Sequence, residues 1–229
     1  MTITGISSMA TRAVLAELAA AVERRTGCRV TFESVGGVDA AKRVEAGEPF
    51  DVVVLAADAL DRLFAAGHAV PGTRVDVTRS GVAVAVPAGA PRPDMASEEA
   101  VRRAVLAARR IGYSTGPSGT ELLKLFARWG IADDVAPRLV QARAGVPVAA
   151  LVASGEADLG FQQFSEMMGA PGIAVVGMLP PPVEIVTTFA AGVCAAAREP
   201  ARARELLAFL ASPDADAAKR RHGMEPARP

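Results

Sequence analysis

Small polar residues recur where short apolar runs give way to amphipathic stretches. The places are Ser7-Ser8-Met9-Ala10-Thr11, Ser34-Val35-Gly36-Gly37, Ser114-Thr115-Gly116-Pro117-Ser118-Gly119-Thr120, Ala144-Gly145-Val146-Pro147 and Gln162-Gln163-Phe164-Ser165. Each sets a hydroxyl or amide, with backbone N–H groups, at the start of a helix and beyond the carboxyl end of a strand. α/β sheets take their ligands there, and the positive end of the helix dipole favours an anion. An ordinary N-cap accounts for any one of these loops, since serine and glycine stand there without a ligand. Their recurrence in both halves of the chain points to capture of a small anion by neutral donors. No loop fits the phosphate-cradling Gly-x-x-x-x-Gly-Lys-Ser/Thr pattern, and no Gly-x-Gly-x-x-Gly occurs. A nucleotide is therefore disfavoured, and no cofactor is expected.

The elements that must position these loops follow from periodicity. Residues 2–6 read as a strand, and Val14, Leu15, Leu18, Ala19 and Val22 at helical spacing predict a helix that Gly27 ends. Residues 29–33 alternate as a strand, and a helix over about 38–46 stops at Gly47. Residues 50–56 form a nearly continuous apolar run, as in a parallel strand covered on both faces. Leu60, Leu63 and Phe64 mark a short helix closed by Gly67. This is a βαβαβ pattern with right-handed crossovers.

A second series follows the turn-rich segment 87–93. Ser97 is placed to cap a helix carrying Val101, Val105 and Leu106, and residues 111–113 read as a strand. Leu122, Leu123, Leu125 and Phe126 give a helix up to Gly130. Residues 139–141, a helix over 147–154, and strands near 158–161 and 173–177 continue the alternation. Ser212-Pro213 looks like an N-cap followed by a first-turn proline. Residues 81–86 leave the first α/β series and 185–195 make a long last strand. One forward and one return crossing give two lobes; a single doubly wound sheet satisfies the periodicity equally.

Composition excludes several function classes. The 229 residues are 51% hydrophobic and 22% charged, enough for a large core, and 25 basic residues balance 25 acidic ones. No global field therefore selects nucleic acid or an anionic membrane, and aromatic residues at 4% leave few stacking platforms for single strands. No apolar run approaches the ~20 residues that span a bilayer, so membrane insertion is not expected. Cys28 and Cys194 read as two buried structural thiols. His68 and His222 belong to no ligand-spaced motif, so no metal site is expected. The first residues lack a basic region, an apolar stretch and a cleavage site, which predicts a cytoplasmic protein, or a periplasmic one if a leader has been removed.

Residues 45–58, Glu-Ala-Gly-Glu-Pro-Phe-Asp-Val-Val-Val-Leu-Ala-Ala-Asp, resemble a segment of periplasmic molybdate-binding proteins, in which an alanine-glycine turn precedes Asp-Val and a strand ending in Ala-Asp. Residues 78–89 are similar to the crossover that follows in that family, and 111–119 and 190–193 match further parts in order. The resemblance covers essentially the whole chain and implies an α/β, two-lobed type II periplasmic-binding fold, with mixed sheets and a cleft between lobes. Lobe 1 would comprise 1–80 and 188–229, and lobe 2 residues 81–187.

It further implies a small oxyanion or carboxylate held by Ser7, Ser8, Met9, Ser34, Gly36, Gly37, Ser114, Ser118, Gly119, Val146 and Gln163, and an importer permease as partner if the chain is exported. Met9, and the turn at Ser34-Val35-Gly36-Gly37, depart from the molybdate-binding pattern. Arg79, at the crossover, would suit a carboxylate bidentately if it points inward, and makes a surface or hinge ion pair otherwise. Some members resemble organic-anion binders, and one type isomerises aconitate. That chemistry needs a base at a carbon next to a carboxylate and donors for the dienolate. Glu166 and Glu33 are the candidate bases, with His68 further off.

Overall fold

The computed structural model describes residues 2–227. Strand β1 (Thr2–Ser8) leads through a 3-10 turn, Met9–Thr11, into helix α1 (Arg12–Thr26). There follow β2 (Arg29–Val35), α2 (Gly37–Glu45), β3 (Val52–Ala56), α3 (Ala57–Ala65) and the long β4 (Val75–Pro87). Next come α4 (Glu98–Ala107), β5 (Ile111–Tyr113), α5 (Pro117–Arg128), α6 (Ala132–Val135) and β6 (Leu139–Gln141). After them lie α7 (Val148–Ala153), β7 (Leu159–Gln163), α8 (Phe164–Met167) and β8 (Ile173–Met178). The chain closes with β9 (Val186–Val193), α9 (Pro200–Ala211), α10 (Asp216–Arg221) and β10 (Glu225–Pro226). It divides into two compact units, one made of the residues up to Ser80 and from Thr187 onward, the other of Gly81–Val186.

In the first unit β1 pairs in parallel with β2 on one side and β3 on the other, and β9 lies antiparallel to β3. Helices cover both faces. Val52 and Val54 pack with Leu15 and Leu18 of α1 and Leu206 and Leu210 of α9, while Val53 and Leu55 pack with Val44 of α2 and Leu60 and Leu63 of α3. All five residues of β3 are consequently buried, which is why the strand reads as an unbroken apolar run. Gly27, Gly47 and Gly67 have φ of 70°, 76° and 78°, the left-handed conformation that ends a helix at low cost for glycine alone.

Asp51 ties the start of β3 to two neighbours. Its carboxylate accepts from Thr4 N (2.9 Å), Thr4 Oγ1 (3.1 Å), Arg198 N (2.8 Å) and Glu199 N (3.0 Å). Burial pushes its carboxyl up, but these hydrogen bonds outweigh burial and hold it below the usual aspartate value.

The second unit repeats the device. Asp158, just before β7, accepts from Arg109 N (3.0 Å) and Arg110 N (2.6 Å), and here too hydrogen bonding overcomes burial to lower the carboxyl. β7 pairs in parallel with β5, and β5 with β6, while β7 and β8 run antiparallel to the second half of β4. One face packs Phe161 against Leu122 and Phe126 of α5; the other packs Ala83 and Ala85 against Val148 and Val152 of α7.

Three expectations need correction. β4 begins at Val75, not near Gly81, and its first half pairs with β10, a strand no periodicity announces. Ser212 is the N-cap residue of a 3-10 turn, Pro213–Ala215, with Pro213 in its first turn as expected, but its hydroxyl donates to Phe209 O at the end of α9 instead of capping that turn. Cys194 is buried, but Cys28 is only half-buried; both thiols are free. Among the described residues no helix is long and apolar enough to cross a membrane.

Candidate ligand site

Parallel pairing places the ends of β1, β2 and β3 at one edge of the first unit. Ser7 lies opposite Ser34 on one side and Val54 on the other, and Ser8 lies opposite Val35. Side chains at matched positions of parallel strands share a face, so the hydroxyls of Ser7 and Ser34 meet at 2.9 Å. Ser8, 8% exposed, has a buried hydroxyl without a hydrogen-bond partner. An unsatisfied buried hydroxyl costs about 1–3 kcal/mol, so such a group calls for an explanation.

Ser8 borders the start of α2: a Cβ added to Gly37 would stand 3.7 Å from Ser8 Cβ. Gly36, the residue before α2, supplies no side-chain cap, and neither does Ala56 before α3. Two helix N-termini thus lack side-chain caps at the edge that carries three hydroxyls. Met9 opens the 3-10 turn beside Ser8 and is half-buried.

The corresponding edge of the second unit is formed by the ends of β5, β6 and β7. Ser114 Oγ and Ser118 Oγ lie 2.9 Å apart at the start of α5, where Pro117 occupies the first turn and no side chain caps the helix. Gly119 is required by sterics, because a Cβ there would overlap the Ser114 carbonyl oxygen. Gln163 ends β7 and is buried. Val146 N donates to Arg143 O (2.9 Å), closing the turn before α7, and the Val146 side chain is 38% exposed.

One residue outside the expected set organises this edge. The amide of buried Gln162 accepts from Val148 N at 2.7 Å and donates to Glu166 Oε1 at 2.8 Å. It occupies the leading N–H of α7 and fixes a carboxylate beside it. The sequence signal was a glutamine closing the apolar run Leu159–Phe161, a polar group with no reason to be buried unless bonded. Gly112 and Gly160 let α7 approach, since a Cβ on either would meet Val148 Cγ1 at 3.0 Å.

The remaining candidates separate by environment. Glu33 lies exposed on β2, hydrogen-bonded to Arg43, which also binds Glu48. The hydrogen bonds from Arg43 hold the Glu33 carboxyl below the usual value, which makes it a weaker base. Arg79 is exposed on β4 opposite Glu225, one residue before the chain leaves the first unit at Ser80. The hydroxyls and N–H groups of both edges are neutral donors; Asp39 and Asp58 stand in the first turns of α2 and α3, and Glu166 is the carboxylate tied to Gln162 at the second edge.

A family model described as bacterial extracellular solute-binding protein matches residues 3–225. An aconitate isomerase of a Pseudomonas species is 36% identical over 98% of this chain and 88% of its own length. The periplasmic molybdate-binding protein of Azotobacter vinelandii superposes with a TM-score of 0.82 at 21% identity, covering 99% of this chain and 100% of that one. The sulfate-binding protein of Mycobacterium tuberculosis superposes with a TM-score of 0.79 at 17% identity, covering 100% and 88%. The fold is thus the two-lobed α/β fold of type II periplasmic binding proteins.

Proposed function

The chain belongs to the bacterial extracellular solute-binding proteins, and we propose that its solute is a small oxyanion or carboxylate. The ligand is held by hydroxyl and backbone N–H donors at the carboxyl edges of the sheets. The observation that carries this reading is the buried, partnerless hydroxyl of Ser8 beside the uncapped start of α2. The Ser114–Ser118 pair at the start of α5 supports it from the second unit. Helix dipoles and hydroxyls stabilise an anion without a basic cluster, in keeping with the balanced charge of the chain. Ser7, Ser34, Gly36, Gly37, Gly119 and Gln163 shape or supply these edges; Met9 and Val146 flank them, and Arg79, exposed on β4 opposite Glu225, would serve only a carboxylate that extends to it.

The test is a thermal-shift panel of molybdate, tungstate, sulfate, citrate and the aconitates at constant ionic strength. A ligand that binds only the folded state raises the melting temperature with concentration. A saturable rise for one anion supports the reading; no rise for any refutes it.

A second reading, a cofactor-independent isomerase of an unsaturated tricarboxylate, is favoured by the 36% identity to an aconitate isomerase. Glu166 would take the proton and the helix N-termini would stabilise the dienolate. Following cis- to trans-aconitate by NMR decides it: turnover lost in Glu166→Gln supports the reading, and absence of turnover in the wild type removes it. The family's description supports the periplasmic alternative, and the likeness to the substrate-binding domain of a molybdenum ABC transporter from Clostridium difficile supports an importer permease as partner. Cell fractionation with the full gene checks that location.

A further inference from the structure

Building on that anion-site reading, we infer that Glu166 tunes the site for organic acids against inorganic oxyanions. Gln162 is 3% exposed and both ends of its amide are engaged, so Glu166 is fixed at the carboxyl end of β7 beside the first turn of α7. Two exposed apolar side chains lie close in the chain to the residues of these bonds. Val146, two residues before α7, is 38% exposed, and Met168, directly after α8, is 39% exposed. Inorganic oxyanions have no use for apolar side chains.

The discrimination follows from shape and charge. Tetrahedral oxyanions present charged oxygen in every direction, so one oxygen must face the fixed carboxylate, and like charges repel strongly in a partly buried site. Di- and tricarboxylates separate their charges along a carbon skeleton. Such a ligand sets its uncharged C–H or O–H portion against Glu166 and Val146, while its carboxylates reach the hydroxyls and N–H groups around Ser114 and Ser118. Selectivity then comes from what the site disfavours as much as from what it binds.

Calorimetric titration of molybdate, sulfate, citrate and trans-aconitate into the wild type, Glu166→Gln and Val146→Ser tests this. The amide of Glu166→Gln is isosteric and still offers Gln162 an acceptor, and unchanged melting temperatures verify folding. Removing the charge is expected to strengthen molybdate and sulfate about tenfold or more, and to change the tricarboxylates by less than about threefold. Val146→Ser, which keeps the carboxylate, is expected to weaken the tricarboxylates about fivefold and leave molybdate unchanged. Equal changes for all four anions, or none in either variant, would overturn the inference. A wild type that binds none of them overturns the anion-site reading itself, and this inference with it.

Discussion

Asp51→Asn removes one charge from the most heavily hydrogen-bonded carboxylate described above, with almost no change in shape. Oδ2 serves Thr4 N and Thr4 Oγ1, and Oδ1 serves Arg198 N and Glu199 N. An asparagine oxygen satisfies only one of these pairs; its NH2 group then faces the donors of the other. Whichever way the amide turns, one pair is lost and the other is weakened to neutral strength. Hydrogen bonds to a charged acceptor contribute about 1.5–3 kcal/mol each, so the loss is about 3–5 kcal/mol. Urea unfolding followed by far-ultraviolet circular dichroism measures it. Trp129 fluorescence is unsuited, because that residue belongs to the other unit.

The pH dependence supplies the sign. The folded carboxyl titrates below the usual aspartate value, so its contribution is fully present above about pH 4 and is lost as pH falls through the folded value. The gap between wild type and variant should therefore be widest at neutral pH and close in acid. A gap under about 1 kcal/mol at pH 7, below the net worth of even one charged hydrogen bond, or one that widens in acid, would refute the reasoning.

Other outcomes follow from local geometry. Gly119→Ala forces the Ser114 carbonyl to move, so it should lower stability and abolish ligand-induced thermal shifts together. Glu33→Gln should leave anion affinity unchanged in calorimetry, because its exposed pair with Arg43 stands apart from the hydroxyls. Burial, with Asp51 nearby, pushes the Cys194 thiol up to about 12, while Cys28 is half-buried. A colorimetric disulfide reagent at pH 8 should thus titrate Cys28 in the native protein and both thiols in denaturant; rapid reaction of Cys194 in the native protein would contradict its burial.

Much of the fold was legible because its strongest signals are local. β3 is covered on both faces and so is apolar at every position, and glycines at 27, 47 and 67 end helices where a left-handed residue is needed. The first half of β4 escaped notice because its polar residues are used in pairing and crossing: Thr78 Oγ1 donates to Glu225 O, and Arg79 faces solvent. Nothing in Glu225-Pro226 marks a strand, since its partner lies about 150 residues away in the chain. The site loops were legible as loops, because strand, small polar residues and helix follow one another. The buried bonds of Gln162 were not, because they join residues 14 and four positions apart across three elements.

Calorimetry of Ser8→Ala against the wild type, with whichever panel anion binds, tests the central claim most directly. A hydroxyl that donates to a bound anion contributes about 1.5–3 kcal/mol, so affinity should fall about tenfold to a hundredfold. The melting temperature without ligand should hold or rise, because an unsatisfied buried oxygen has been removed. Unchanged affinity in a folded Ser8→Ala protein would contradict the account.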